Sequence, residues 1–495
     1  MFDQYRHEYS EFHTASMREH YLFLSGQKPT LEIAPIYERF SDLFTLEVIA
    51  KLKVELNQIS GHFETARKSL NRFLLFSVEQ FLEDSVKSLT EQINEYESAA
   101  TVQWNGQPMT FHDAAVRLAV ESNRETRRAI QASRAAIIEG SNDLRAERLG
   151  KIHQAALGLG EPSYRALFES LRGIDYAALA GSAREMLTAT ESTYLRAIES
   201  ALPRTVGVSL NEAERFDAVY FLHLTEYDEH FPVDGLVPTY MRTMSQLGID
   251  ASEQGHIFID SEPRPRKTAR AFCMPISVPD DVRLVIRPSG GQSDYQSLLH
   301  ESGHAQHYGW TASSLAPEFK YTGDYALTET YAFLMNHLVS DGEWLAETIG
   351  FRDTEEFTRS VMLARLVTVR RYAAKLVYEL SLHDGADLSS AAALYAELQT
   401  AATGFNTQQT EFLYDLDDCF YSAGYLRAWA LEVALRDYLK TRYGVRWWAS
   451  TRAGSLLKEL WETGDLYNAD EMASQLGLAP ISFDMLIEEF NRALK

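Results

Sequence analysis

The chain is poor in cysteine, in proline, in long apolar runs and, relative to its acids, in positive charge. Only Cys273 and Cys419 occur in 495 residues, so no disulfide framework can be built and the usage fits a reducing compartment. No apolar run reaches the roughly 18 residues that a membrane-spanning helix needs. The N-terminal Met1-Phe2-Asp3-Gln4-Tyr5-Arg6-His7-Glu8 also lacks the basic-then-apolar pattern of a secretory signal. The expectation is a soluble, cytoplasmic protein. Lys and Arg number 47 against 70 Asp and Glu, a net charge of −23, which repels nucleic acid and anionic membrane over most of the surface. Neutral or basic molecules are the expected partners. Hydrophobic content of 45% with 24% charged residues is that of a folded globular chain.

With 14 prolines and apolar residues recurring at intervals of three and four, the chain reads as mainly α. Helical patterns run from Pro35 to about Leu56, Glu64 to about Tyr96, Arg124 to Ile138, Asp143 to Leu157 and Tyr176 to Leu202. Asn105-Gly106, between Val102, Trp104 and Met109, predicts a short hairpin. Between Gly255 and Pro288 three short runs, His256 to Asp260, Ala271 to Met274 and Val282 to Ile286, read as strands of a small sheet. No linker marks a clean boundary. The expectation is two closely packed lobes, a helical one over 1–205 and a catalytic one over 206–495, the latter carrying the sheet (255–288) and helices at 294–308 and 325–339.

The chemistry concentrates in Ser293-Asp294-Tyr295-Gln296-Ser297-Leu298-Leu299-His300-Glu301-Ser302-Gly303-His304-Ala305-Gln306-His307. Ser293 and Gln296 have capping-box spacing, which predicts a helix from Asp294 to near Gly309. His300 and His304 then lie one turn apart, about 40° around the axis, and can offer imidazole nitrogens to one Zn²⁺. In this H-E-x-x-H arrangement Glu301 adjoins the first ligand and can take a proton from water at the metal without occupying it. A catalytic zinc needs a third protein ligand and an open position. Glu329, 25 residues after His304 in Asp324-Tyr325-Ala326-Leu327-Thr328-Glu329-Thr330-Tyr331-Ala332-Phe333, is the best candidate, because a carboxylate among such neighbours is costly to bury without a cation. Metzincin ligation is disfavoured by His307 and Trp310 where the pattern requires Gly and His. His307 shares the histidine face and could support the ligands or simply be packed or solvated.

Three segments together resemble the thimet oligopeptidase and oligoendopeptidase F family of zinc metallopeptidases. They are Phe258-x-Asp260-x-x-x-Arg264-x-x-Lys267-x-x-x-Ala271-Phe272, Leu298-Leu299-His300-Glu301-x-Gly303-His304-x-x-His307 and Leu327-Thr328-Glu329-x-Tyr331-Ala332-Phe333. The resemblance implies a mainly α, two-lobed body around a deep channel, with the zinc helix on its floor and a short sheet beside it, admitting short peptides and excluding folded proteins. It assigns one zinc to His300, His304 and Glu329 and the general base to Glu301. Phe420-Tyr421-Ser422-Ala423-Gly424-Tyr425 looks like the family's tyrosine-rich segment, which makes Tyr425 the first choice as oxyanion donor and Tyr421 the second. The alternative for these tyrosines is aromatic packing at helical spacing. Leu413 stands where relatives have a substrate-contacting His, and Arg266 and Arg270 replace family glycines.

The expected function is zinc-dependent hydrolysis of short peptides. Peptide backbone could be held by pairing to an exposed edge of the sheet near Ala271 to Met274 or Leu284 to Ile286. Arg264, Arg266, Lys267 and Arg270 form a basic island that could receive a peptide carboxylate or could be a solvated loop tied to local acids. A zinc carboxypeptidase of similar helical build is the rival enzyme. A helical binding protein with a structural zinc is the rival outside enzymes, disfavoured because a closed structural site normally has four ligands and needs no base.

Overall fold

In a computed structural model, residues 2–59, 63–385 and 387–495 are described. The chain forms two units, each gathered from three stretches: Met1–Gln80, Glu226–Thr358 and Arg427–Ser482 in the first; Phe81–Thr225, Arg359–Leu426 and Phe483–Lys495 in the second. Both are built mainly of helices, and the architecture is the mainly α one with a small mixed sheet that the sequence predicts. Among the described residues, no helix is long and apolar enough to cross a membrane.

Local chemistry explains where helices start, stop or fail to stop. The pattern from Pro35 is not one helix but three pieces, Ala34–Arg39, a 3-10 turn Ser41–Phe44 and Leu46–Gln58. The break comes from Thr45, whose hydroxyl accepts the Val48 N–H at 3.2 Å and starts a new helix as an N-cap. Conversely, Arg124 to Leu157 is a single helix, Arg124–Gly158. Gly140 interrupts the pattern without ending the helix, and a side chain there would strike the Tyr96 hydroxyl. The hairpin forms as expected: β1 (Thr101–Trp104) pairs antiparallel with β2 (Gln107–Thr110). Asn105 (φ 50°) and Gly106 (φ 78°) at its tip both have the left-handed backbone that a tight hairpin turn requires.

The sheet of the first unit contains β3 (Ile257–Asp260), β4 (Phe272–Ser277) and β5 (Asp281–Val285) in the order β3-β5-β4. Its centre, β5, runs parallel to β3 and antiparallel to β4. Met17, Leu22 and Leu24 of the N-terminal helix Phe2–Leu24 join Tyr21 around Met274, Ile276 and Val285. Burying such side chains is worth about 1.5–3 kcal/mol each. Beside the sheet lies the helix Gln292–Trp310, packed on β4 and β5. This arrangement fixes the histidine helix against a strand edge.

Candidate metal centre

The histidine helix begins earlier than its sequence predicts. Gly290 (φ 90°) and Gly291 (φ 96°) turn the chain. Asp228 Oδ1 then accepts the Gln292 N–H at 3.1 Å, while the Asp294 carboxylate accepts the N–H groups of Ser289 and Gly290 at 2.6 Å. The capping box of Ser293 and Gln296 therefore does not form; Asp228, 64 residues upstream, replaces it at a helix that spans Gln292–Trp310. The partner helix, Tyr325–Asn336, starts as expected on Asp324, which accepts the Ala326 N–H at 3.1 Å. It ends before residue 339 in a 3-10 turn, His337–Ser340. Arg427 holds the Asp324 carboxylate with contacts of 3.0 and 2.9 Å.

Gly303 sets the approach of these two helices. A Cβ there would lie 2.5 Å from Ala332 Cα and 2.7 Å from Ala332 N, and would overlap the Tyr331 carbonyl oxygen. Through this contact Glu329, only 2% exposed, reaches both imidazoles: its Oε2 is 3.4 Å from His300 Nε2 and 3.7 Å from His304 Nε2. All three ligand atoms lie within 4.8 Å of one another. Four ligands at 2.0–2.1 Å around a tetrahedral zinc are separated by about 3.3 Å, so the donor set and its spacing fit that ion. A buried carboxylate facing two neutral imidazoles is the arrangement that a divalent cation stabilises.

The ligands are themselves held. His304 Nδ1 is 2.8 Å from Thr328 Oγ1, which leaves Nε2 toward Glu329, and the Thr328 hydroxyl also bonds Tyr308. Supporting contacts of this kind orient metal-binding imidazoles and fix their tautomer. Burial lowers the pKa of His300 to about 4, with Arg270 adding to the effect, and pushes His304 well below its ordinary value. Both rings are neutral, as ligation requires.

Glu301 follows His300 on the same helix, and the Cys273 N–H of β4 bonds to its carboxylate. Burial, and then the nearby Glu329, push its pKa up to about 8, while Arg270 opposes them. A carboxyl so placed can alternate between holding and giving up a proton near neutrality.

Other sequence candidates are placed differently. His307 is buried, with Nε2 3.3 Å from the Gly464 carbonyl oxygen and its ring against Tyr331, outside the ligand group. In the basic island, Arg264 and Lys267 are tied to Asp260, as a loop bound to local acids would be. Lys267 is wholly buried and donates to Asp260 O (2.7 Å), Asp260 Oδ1 (2.9 Å) and Glu262 O (3.0 Å). The loop is also pinned to the end of the first helix, since Arg264 Nε donates to Ser25 O at 2.6 Å and Thr268 N–H to Leu24 O at 2.9 Å.

Tyr421 and Tyr425 belong to the second unit. They open the helix Tyr421–Tyr443 with ring centroids 4.9 Å apart. Tyr372 lies edge-on to Tyr425 at 5.1 Å and was not signalled by the sequence. Cys419 (φ 58°) and Phe420 (φ 55°) precede them, two consecutive side chains in the left-handed region, a conformation costing about 1–3 kcal/mol each. Leu413 is a core residue beside Leu149, Tyr378 and Tyr395. Thr328, Tyr308 and Cys273 were likewise missed. Of these only Thr328 carried a hint, its adjacency to Glu329.

No protein-family model matches the chain, and neither does any curated protein sequence. Solved structures do. A protein assigned as an oligoendopeptidase F from Bacillus anthracis strain Ames aligns over 92% of this chain and 83% of its own, with a TM-score of 0.67 and 14% identity. PZ peptidase A, solved with an inhibitor, aligns over 93% of this chain and 87% of its own, also with a TM-score of 0.67 and at 13% identity. The chain has the fold of these two structures.

Proposed function

We propose that this chain, sharing the fold of two solved peptidases, is a zinc-dependent hydrolase of peptide bonds in short peptides. One observation carries the reading: a buried His300–His304–Glu329 group with a carboxyl, Glu301, beside it on the same helix. Three protein ligands and an adjacent base are what a catalytic rather than a structural site needs. Zinc bound there would supply Lewis acidity, polarising the scissile carbonyl and acidifying a water.

Each protein group then has a task. His300, His304 and Glu329 bind the ion, and Thr328 keeps the His304 ring in place. Glu301 accepts the proton of the attacking water and delivers it to the leaving amine. The edge of β4 around and ahead of Cys273 holds peptide backbone by strand pairing, which favours extended, unfolded substrates; beyond it the Pro275 carbonyl is already taken by His13. The resemblance gives the hydroxyl that meets the developing oxyanion to Tyr425, with Tyr421 as second choice.

The test is mass spectrometry of peptides about 5 to 20 residues long, incubated with zinc-loaded wild type, with Glu301→Gln and with a chelator. Internal cuts abolished by both controls are expected. Stepwise loss of C-terminal residues would instead identify a carboxypeptidase, and intact peptides in every arm would sink the hydrolase reading.

A further inference from the structure

The four cations of the basic island do not act as one patch. Arg264 and Lys267 are engaged by Asp260. Arg270 is exposed, stands just ahead of β4, and bears on both His300 and Glu301, lowering the pKa of each.

Strand geometry shows what this position commands. Cys273 is in register with Leu284 of β5, yet its N–H goes to the Glu301 carboxylate. Its backbone groups therefore face away from β5, because paired residues in an antiparallel ladder alternate between bonding the partner strand and turning outward. The same alternation turns Pro275 outward, and its carbonyl accepts from His13 Nε2 at 2.8 Å. The outer edge of β4, which has no strand partner among the described residues, thus passes Glu301 at Cys273 and leads back toward Arg270.

A peptide laid antiparallel on this edge, the commoner pairing, points its C-terminal side toward Arg270. We infer that Arg270 is a specificity residue whose guanidinium receives a carboxylate one to three residues beyond the scissile bond, on the leaving-group side. The inference rests on the peptidase reading and narrows its substrate class to peptides with an anionic leaving-group side. In a chain of net charge −23 an acidic peptide is repelled by the overall field, so its acceptance needs a local cation. Arg presents a planar fork of N–H donors that matches a carboxylate. That carboxylate is either the free C-terminus or an Asp or Glu side chain.

One peptide sequence in four forms separates these sources: free acid or C-terminal amide, each with Gln or Glu two residues after the cut. kcat/KM is measured with zinc-loaded wild type, Arg270→Gln and Arg270→Glu. The wild type should prefer a carboxylate-bearing form about tenfold over the doubly neutral one. Arg270→Gln should bring that ratio to about one, and Arg270→Glu should invert it. The form that carries the preference identifies the source. An unchanged ratio in Arg270→Gln, or equal losses on acidic and neutral peptides, overturns the assignment. The same four peptides are titrated by calorimetry into zinc-loaded Glu301→Gln with and without Arg270→Gln. If no form is cleaved by wild type but the ratio appears in binding, the hydrolase reading fails and the Arg270 assignment stands. If none binds, both fail.

Discussion

Replacing Gly303 with alanine sets two effects of opposite sign against each other. In a helix interior alanine is favoured over glycine by about 1 kcal/mol, so at an open position the variant would be the more stable protein. Here the new methyl would sit 2.5 Å from Ala332 Cα, whereas carbon atoms in contact settle at about 3.5–4.0 Å. The histidine and glutamate helices must part by about 1 Å. Overpacking of this kind costs about 1–3 kcal/mol, giving a net destabilisation of up to about 2 kcal/mol. The same displacement would carry Glu329 Oε2 from 3.4 Å to about 4.4 Å from His300 Nε2, beyond the separation of about 3.3 Å between ligands on one zinc. Metal affinity should fall at least tenfold. Urea unfolding of the metal-free proteins measures the first effect, and zinc competition with a chromophoric chelator measures the second. A Gly303→Ala protein as stable as wild type, binding zinc with unchanged affinity, would refute the close-packing argument.

Glu329→Ala should lose bound metal together with activity; full occupancy by elemental analysis would remove Glu329 from the ligand set. Thr328→Val should weaken zinc binding about 10–100-fold while Thr328→Ser retains it, and equal affinity in all three proteins would show that the hydroxyl does not position His304. Tyr425→Phe should lower kcat about 10²–10³-fold with little change in KM, and Tyr421→Phe less; the reverse order would exchange their roles. In the second unit His383 is buried, 2.8 Å from His153, and burial, then His153, lower its pKa to about 3. The unfolded chain, titrating near 6.5, binds the proton more readily, so this stability is complete above pH 6.5 and is lost as pH falls toward 3. About 2 kcal/mol goes between pH 8 and pH 5. Denaturation curves for His383→Gln should show a flatter pH dependence over that range, and parallel curves would contradict it.

What could be read from the sequence was what sequence-local chemistry writes. His300, Glu301 and His304 are legible because helical spacing alone puts them on one turn, and Glu329 because its apolar neighbours foretell burial. The hairpin at Asn105-Gly106 and the three strands between residues 257 and 285 were legible for the same reason. What escaped depends on partners far along the chain. Asp228 caps a helix 64 residues away, Cys273 reaches Glu301 through the backbone of another element, and Tyr372 meets Tyr425 from a different helix. The Thr45 break and the uninterrupted passage through Gly140 show competition between a hydroxyl cap and a glycine that periodicity alone does not rank.

The loop that carries Arg270 contains its own clock. Every hydrogen of the Lys267 ammonium is engaged and none of its side chain is exposed, so an amine-acylating reagent can reach it only while the loop is lifted. The rate at which mass is added at Lys267, set against an exposed lysine such as Lys51, therefore reports the fraction of time the segment spends open. A peptide that seats against this loop should slow the clock without altering the labelling of Lys51.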